Sequence, residues 1–290
     1  MKSLFRSFLG FVALGGLLLW FLTRPAALSE NELPAHQSDL SNGEKMALAG
    51  GCTSCHGMDL SGGLEMDSAY GLFRVPNISP HPEAGIGDWT DAEFANAMLN
   101  GVSPSGRHYY PAFPYASYTR MTLPDVLDLK AWIDSMEPVV SERGAHELAF
   151  PWSIRRGIGL WKRLYLDKDP VIGELPAGAE LERGRYLVEG PGHCGECHTP
   201  RDLLGGLQLT NWLSGAPAMD GEGKVPNITP AEKGLADWSE KDIAYFFESG
   251  FLPDFDMVGG SMVKVQENLA RLPESDRKAI AAYLKAIPAE

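Results

Sequence analysis

The chain has 290 residues, 44% of them apolar, and a formal charge of −13. That length is too great for one small domain and suits two, and so acidic a surface would repel phosphates, which excludes nucleic acid as a partner. Glycine and proline are plentiful, at 32 and 21 residues, which points to loop-rich domains of short helices rather than to disorder.

Lys2 and Arg6 precede an apolar run from Phe8 to Leu22, 15 residues long. As a helix the run spans about 22 Å, whereas a bilayer crossing takes around 20 residues. This length suits the core of a signal peptide. Extending it back through Leu4 and Phe5, with Arg6 snorkelling, makes a marginal span. Arg24 follows at once, and Ala27-Leu28-Ser29 is a poor cleavage site. Residues 1–25 are therefore expected to be an uncleaved single-pass anchor, with a soluble periplasmic protein after cleavage as the alternative. Lys2 and Arg6 keep the N-terminus cytoplasmic, so the body faces the periplasm. Removing the three positive charges of Lys2, Arg6 and Arg24 leaves −16 on the rest, a field that could steer a basic redox partner.

The rest of the chain repeats itself. Cys52-Thr53-Ser54-Cys55-His56 returns 142 residues later as Cys194-Gly195-Glu196-Cys197-His198. Val75-Pro76-Asn77-Ile78-Ser79-Pro80 returns as Val225-Pro226-Asn227-Ile228-Thr229-Pro230 at an offset of 150. Asp88-Trp89-Thr90, Asn100-Gly101 and Leu123-Pro124-Asp125 return as Asp237-Trp238-Ser239, Ser249-Gly250 and Leu272-Pro273-Glu274, all at 149. A duplicated domain follows, with copies over 41–141 and 180–290 and a linker over 142–179.

Each copy shows the same layout. A helix leads into the Cys-x-x-Cys-His string, over 42–51 and 181–190. Thr90 and Ser239 N-cap helices over 91–99 and 240–248, with an acid in each first turn. Closing helices run over 124–135 and 273–286, with proline suited to both starts. No run of period-two strands stands out, and the fold class read here is all-α. In the linker, Ile154, Ile158, Trp161 and Tyr165 make one apolar face of a helix, and Arg155, Arg156, Lys162 and Arg163 make it basic. It reads as a helix packed on both copies, with docking to a partner or to anionic headgroups as the sharper alternative.

All four cysteines lie in the two strings, so none remains for a structural disulfide. Two thiols one helical turn apart can add to the two vinyl groups of one haem, and the adjacent histidine then reaches the iron; Cys-x-x-Cys-His reads as c-type haem attachment. Zinc would need a second pair nearby, and thioredoxin-like chemistry a βαβ context. Cys52, Cys55 and His56 are thus expected to hold one haem c, and Cys194, Cys197 and His198 a second.

The other axial ligand decides the chemistry. Methionines after the first motif are Met58, Met66, Met98, Met121 and Met136; after the second, Met219, Met257 and Met262. His56 to Met121 is 65 residues and His198 to Met262 is 64, and both fall before the closing helix. Met121 and Met262 are the expected iron ligands, with Met257 as rival at the second site and His108 at the first. His/Met ligation raises the potential and leaves no open coordination position. Trp89 and Trp238 are expected against the haem or the helix beside it. Pro76 and Pro226 would shape loops at the haem edge, and Arg107 and Arg201 could pair with propionates. His36, His81, His146 and His193 have no repeat counterpart and read as surface residues, except that His193 could line a haem crevice.

Tyr110-Pro111-Ala112-Phe113-Pro114-Tyr115-Ala116-Ser117-Tyr118 with Met121 resembles the first domain of the cytochrome c subunits of membrane-bound alcohol and gluconate dehydrogenases. Ser153-Ile154-Arg155, Tyr186-Leu187-Val188-Glu189-Gly190, Cys197-His198-Thr199-Pro200-Arg201 and Val258-Gly259-Gly260-Ser261-Met262 resemble their second domain, whose methionine ligand matches Met262. The resemblance spans most of 41–290. It implies two tandem class I-like cytochrome c domains, haem ligation, and electron transfer from a dehydrogenase towards the respiratory chain, with no small-molecule substrate of the chain's own. Those subunits usually carry three haems, whereas this chain has two motifs. The rival readings are a two-haem enzyme of peroxidase or thiosulfate dehydrogenase type, and an integral subunit of a larger respiratory complex.

Overall fold

The computed structural model describes residues 2–142, 144–218 and 223–290; Met219 lies outside them. The chain opens with helix α1 (Lys2–Leu22), which leaves Phe11, Leu14, Leu17, Leu18 and Phe21 exposed. The side chains of residues 1–6, 8, 9 and 12 are outside the described set; among the described residues no helix is long and apolar enough to cross a membrane.

The first half contains α2 (Leu40–Ala49), α3 (Cys52–His56), strands β1 (Glu65–Ser68) and β2 (Gly71–Arg74), then α4 (Asp91–Asn100), α5 (Tyr115–Tyr118) and α6 (Leu123–Asp134). Start signals in the sequence account for the helix ends. Asp39 accepts the amides of Ser41 and Asn42 at the start of α2. Thr90 and Glu93 form a capping box on α4, and Gly101 closes that helix at φ 57°, which suits glycine. Thr122 caps α6, with Pro124 in its first turn. The linker carries β3 (Glu147–Leu148), a 3-10 turn over Arg155–Gly157, and α7 (Ile158–Tyr165). The second half contains α8 (Ala179–Glu189), α9 (Gly195–His198), β4 (Ala216–Pro217), β5 (Lys224–Val225), α10 (Glu240–Ser249), α11 (Met262–Ala270) and α12 (Glu274–Ala286).

The chain is mostly helical, but it is not all-α. β1, β2 and β3 form an antiparallel sheet with β2 in the centre, and β4 pairs with β5. These strands are two to four residues long, and Glu65, Asp67 and Ser68 keep the outer one polar. Such short strands leave no alternating apolar pattern to read.

Buried side chains gather into two clusters. One holds Met46, Leu60, Phe94, Met98, Met121, Leu129 and Ile133, and the other Leu187, Trp212, Leu213, Ile243, Phe247, Ile280 and Tyr283. They interlock, since Leu48 and Ala49 of the first half pack in the second cluster, and Tyr186 packs on the first. In both, the helix before the Cys-x-x-Cys-His string lies against the closing helix: α2 on α6, α8 on α12. Glycine makes each approach possible. A Cβ at Gly43 would lie 2.2 Å from the Asp128 carbonyl oxygen, and one at Gly184 would lie 2.0 Å from that of Ala279.

The linker's basic residues are spent inside the molecule. Arg156 donates to the carbonyl of Trp20 and the hydroxyl of Thr23, and Arg163 to the carbonyl of Leu22. His108 Nε2 lies 2.9 Å from the Thr23 carbonyl, so the end of α1 is satisfied by the body. Arg155 bonds the His108 carbonyl and covers the Tyr110 ring. Lys162 donates to the carbonyls of Asn100 and Gly101, at 2.5 and 2.7 Å, at the end of α4. Helix C-termini attract cations, and the four basic residues serve the fold rather than anionic headgroups.

Candidate haem sites

Each attachment string folds as one tight turn of helix. Gly51, at φ 56°, admits α3 directly after α2. Cys52 and Cys55 then stand one turn apart with His56 beside them, and Cys194, Cys197 and His198 repeat the arrangement at α9.

The imidazoles are set identically. His56 Nδ1 lies 2.8 Å from the Pro76 carbonyl, and His198 Nδ1 lies 2.8 Å from that of Pro226. A carbonyl only accepts, so Nδ1 carries the proton and Nε2 keeps its lone pair. This is the tautomer a metal needs, with the other ring nitrogen fixed by a backbone partner. Desolvation pushes the His56 pKa down to about 4 and moves His198 in the same direction, each opposed by its proline carbonyl. Both rings are therefore neutral at pH 7.

The repeated Val-Pro-Asn-Ile element builds these carbonyls into place. Asn77 accepts the Ser79 amide at 2.8 Å and donates to the Val139 carbonyl at 2.7 Å. Asn227 accepts the Thr229 amide and donates to the Glu290 carbonyl, both at 2.7 Å. The amide of Gly62 bonds the His56 carbonyl, and that of Gly215 the His198 carbonyl, each at 2.7 Å. A Cβ on Gly62 would lie 2.4 Å from the Pro76 carbonyl, which explains the glycine there. Pro76 and Pro226 thus orient the histidines. The 150-residue recurrence of this element was the available signal.

The thiols do not suit zinc. Desolvation pushes Cys52 and Cys194 up to about 12, so they stay protonated, whereas zinc requires thiolates. Among the described residues no group of three or more His, Cys, Asp and Glu side chains is gathered as a metal site. Two paired thiols beside a neutral imidazole with a free Nε2 fit a haem held by two thioethers and one histidine.

Met121 is buried in the first cluster, at the turn between α5 and α6. Met262 is half-buried against the second and opens α11, a helix where the sequence suggested a loop. The two are not equivalent in the repeat. With Leu123 aligned to Leu272 at 149, Met262 corresponds to Phe113 and Met121 to Ala270. The near-equal spacings from the histidines arise because the loop from His198 to Val225 is longer than its counterpart. Met257 is 61% exposed, and His108 has its Nε2 turned to Thr23.

Trp89 and Trp238 each pack on the edge of their own cluster. Arg107 is exposed beside Ser105. Arg201 is engaged with the Glu196 carboxylate at 2.6 Å and with the carbonyls of Glu196 and Gly205. Those contacts commit its guanidinium within the second attachment string. Histidines read as surface residues also have structural partners: His36 pairs with Asp128 at 2.6 Å, His81 accepts the Glu83 and Ala84 amides, and His146 accepts the Arg74 amide.

The attachment strings meet the opposite half through a crossed pair of contacts missed in the sequence. Ser54, between Cys52 and Cys55, accepts from Asn268 of α11 at 2.8 Å. Glu196, the same position in the second string, accepts from Ser117 of α5 at 2.9 Å. Between them the Tyr118 ring meets His193 edge-on at 5.5 Å, and Cys55 is near enough to help raise the pKa of Cys197.

Residues 40–137 match the cytochrome c family model. Over 97% of its own length the chain is 46% identical to a dihaem cytochrome c-type protein of Cereibacter sphaeroides, 97% of which it covers. This chain belongs to the dihaem c-type cytochromes. It carries two covalently bound haem c groups with iron, and its function is electron transfer. The cytochrome is also 35% identical over 88% of its length to the fructose dehydrogenase cytochrome subunit of Gluconobacter japonicus, and 34% identical over 91% to the gluconate 2-dehydrogenase cytochrome c subunit of Pantoea cypripedii. It spans 54% and 63% of those two proteins.

Proposed function

We propose that this cytochrome relays electrons from a dehydrogenase towards the respiratory chain on the periplasmic side of the membrane. Cys52, Cys55 and His56 attach one haem, Cys194, Cys197 and His198 the other, and Met121 and Met262 complete the coordination. The attachment motifs belong to tandem cytochrome c domains over 41–141 and 180–290. The observation that carries this reading is the twinned orientation of His56 and His198, each held by a proline carbonyl with Nε2 free. Bound haem c supplies a reversible one-electron iron couple. The chain fixes the histidine tautomer, keeps each imidazole neutral, and packs Met121 and Met262 against the cores. With histidine and methionine both used, neither site keeps an open position for a substrate. The dehydrogenase donor is supported by the cytochrome subunits of fructose and gluconate dehydrogenases among the relatives.

A pyridine haemochrome assay is expected to give two haems per chain. Met121→Ala and Met262→Ala are each expected to abolish one methionine-to-iron absorption band and lower one of the two potentials. If Met257→Ala removes the band and Met262→Ala leaves it, Met257 is the second ligand.

Attachment to the membrane is assigned to α1. Its exposed apolar residues and the three side chains that grip its end support a helix held rigidly on the body. The cytochrome is expected to stay with membranes through carbonate extraction. A mature N-terminus near Glu30 would instead mean a released periplasmic protein.

A further inference from the structure

The internal repeat shows what a bare surface of the second half lacks. Each half carries the same hairpin after its fourth-helix equivalent: Val102 pairs with His108, and Phe251 with Met257, at an offset of 149. The hydrogen bonds coincide. Ser103 N to Arg107 O (2.8 Å) matches Leu252 N to Asp256 O (2.8 Å), and Tyr109 N to Gly101 O (2.7 Å) matches Val258 N to Gly250 O (2.8 Å). Gly106 at φ 71° even corresponds to Phe255 at φ 68°.

The surroundings differ completely. The first hairpin lies under the linker and the end of α1, with Val102 and His108 each 3% exposed. Lys162 of α7 caps Asn100 and Gly101, and Trp161 meets Tyr115 edge-on at 6.3 Å. On the second hairpin, Phe251 is 41%, Met257 61% and Phe255 89% exposed, with Tyr245 of α10 exposed beside them. Among the described residues no lysine donates to Ser249 or Gly250, the counterparts of Asn100 and Gly101. A shallow cleft of about 360 Å³ opens between Tyr245, Phe251 and Phe255.

We propose that this hairpin and the C-terminal end of α10 form a docking surface for a short amphipathic helix of a partner protein. That helix presents aliphatic or aromatic residues and a lysine or arginine, as α7 does to the first half. Three features favour a basic protein segment. The first hairpin contains no acid and one arginine, whereas the second contains Asp254 and Asp256, with Asp242 at the cleft. An uncapped helix C-terminus attracts a cation. A phenylalanine held at positive φ with its ring in solvent is strained without any packing in return, which marks a contact residue. The hairpin also runs straight into the segment leading to Met262, so a partner docked there stands close to the second haem.

The test uses the holoprotein with a labelled peptide of residues 152–166 as probe, followed by fluorescence anisotropy. Saturable binding that weakens with salt is expected, together with slowed amide exchange over 251–257. Phe255→Gly restores the residue type of the first hairpin, so it is expected to fold at least as stably yet bind the peptide about tenfold or more weakly, as for a central aromatic anchor. A Lys162→Gln peptide is also expected to bind more weakly. Absence of binding at millimolar peptide, or binding indifferent to Phe255→Gly, overturns the proposal. So does a Phe255-dependent dimer in sedimentation, which assigns the face to a second copy, or Phe255-dependent uptake onto phosphatidylcholine vesicles, which assigns it to lipid.

Discussion

Gly184→Ala is expected to disrupt the second half, and Gly43→Ala the first. In each case the added methyl carbon would sit 2.0–2.2 Å from a backbone carbonyl oxygen of the closing helix. Backbone inside a helix cannot yield as a flexible side chain can, so the two helices must separate. Alanine is the better helix former by about 1 kcal/mol, but that gain applies within α8 alone. Overpacking that moves backbone costs typically 1–3 kcal/mol or more, and here it falls on the main helix pair of each half. The loss also reaches the site, since α2 and α8 lead directly into the attachment strings. Urea unfolding followed by circular dichroism should show the midpoint falling in both variants, with less haem-loaded protein recovered. Unchanged midpoints would mean that the helices approach less closely than the carbonyl distances require.

These glycines illustrate what the sequence reveals. The helices around them were legible, because Thr90, Ser239 and Thr122 are strong start signals and the apolar positions repeat at helical spacing. The glycines' role was not, because a close approach depends on the partner backbone. α11 escaped notice for a related reason: Gly259 and Gly260 precede it, and Ser261 makes no side-chain cap bond. The basic face of α7 was visible, but its targets are carbonyls at the ends of α1 and α4, which carry no sequence signature. At the site, Cys52, Cys55, His56 and their repeats were legible as a string. The carbonyls that orient the histidines were hidden in Pro76 and Pro226, residues usually read only for their rigid rings. Spacing misled at the methionines: equal distances along the chain placed Met121 and Met262 at different points of the repeated fold.

Glu189→Ala is expected to cost the second half about 3–5 kcal/mol, the range for breaking a buried, paired charge. The residue is 2% exposed. Its carboxylate accepts the amides of Val171 and Ile172 at 2.7 and 3.1 Å, and the Tyr283 hydroxyl at 2.7 Å. Arg120 of the first half stands 4.0 Å away. One side chain therefore ties the linker to α8, α12 and the opposite half. Alanine leaves two amides and a phenol without acceptors, each a desolvated group costing about 1–3 kcal/mol, and an arginine short of a counter-charge. Glu189→Gln keeps one acceptor oxygen and the volume, so its loss should be smaller. Tyr283→Phe removes only a donor, whose ring nonetheless stays packed, and should cost less again. That order, read from urea midpoints of the three variants, distinguishes an acceptor hub from simple packing. Under packing alone, Glu189→Gln would be silent and Glu189→Ala would cost no more than its lost volume.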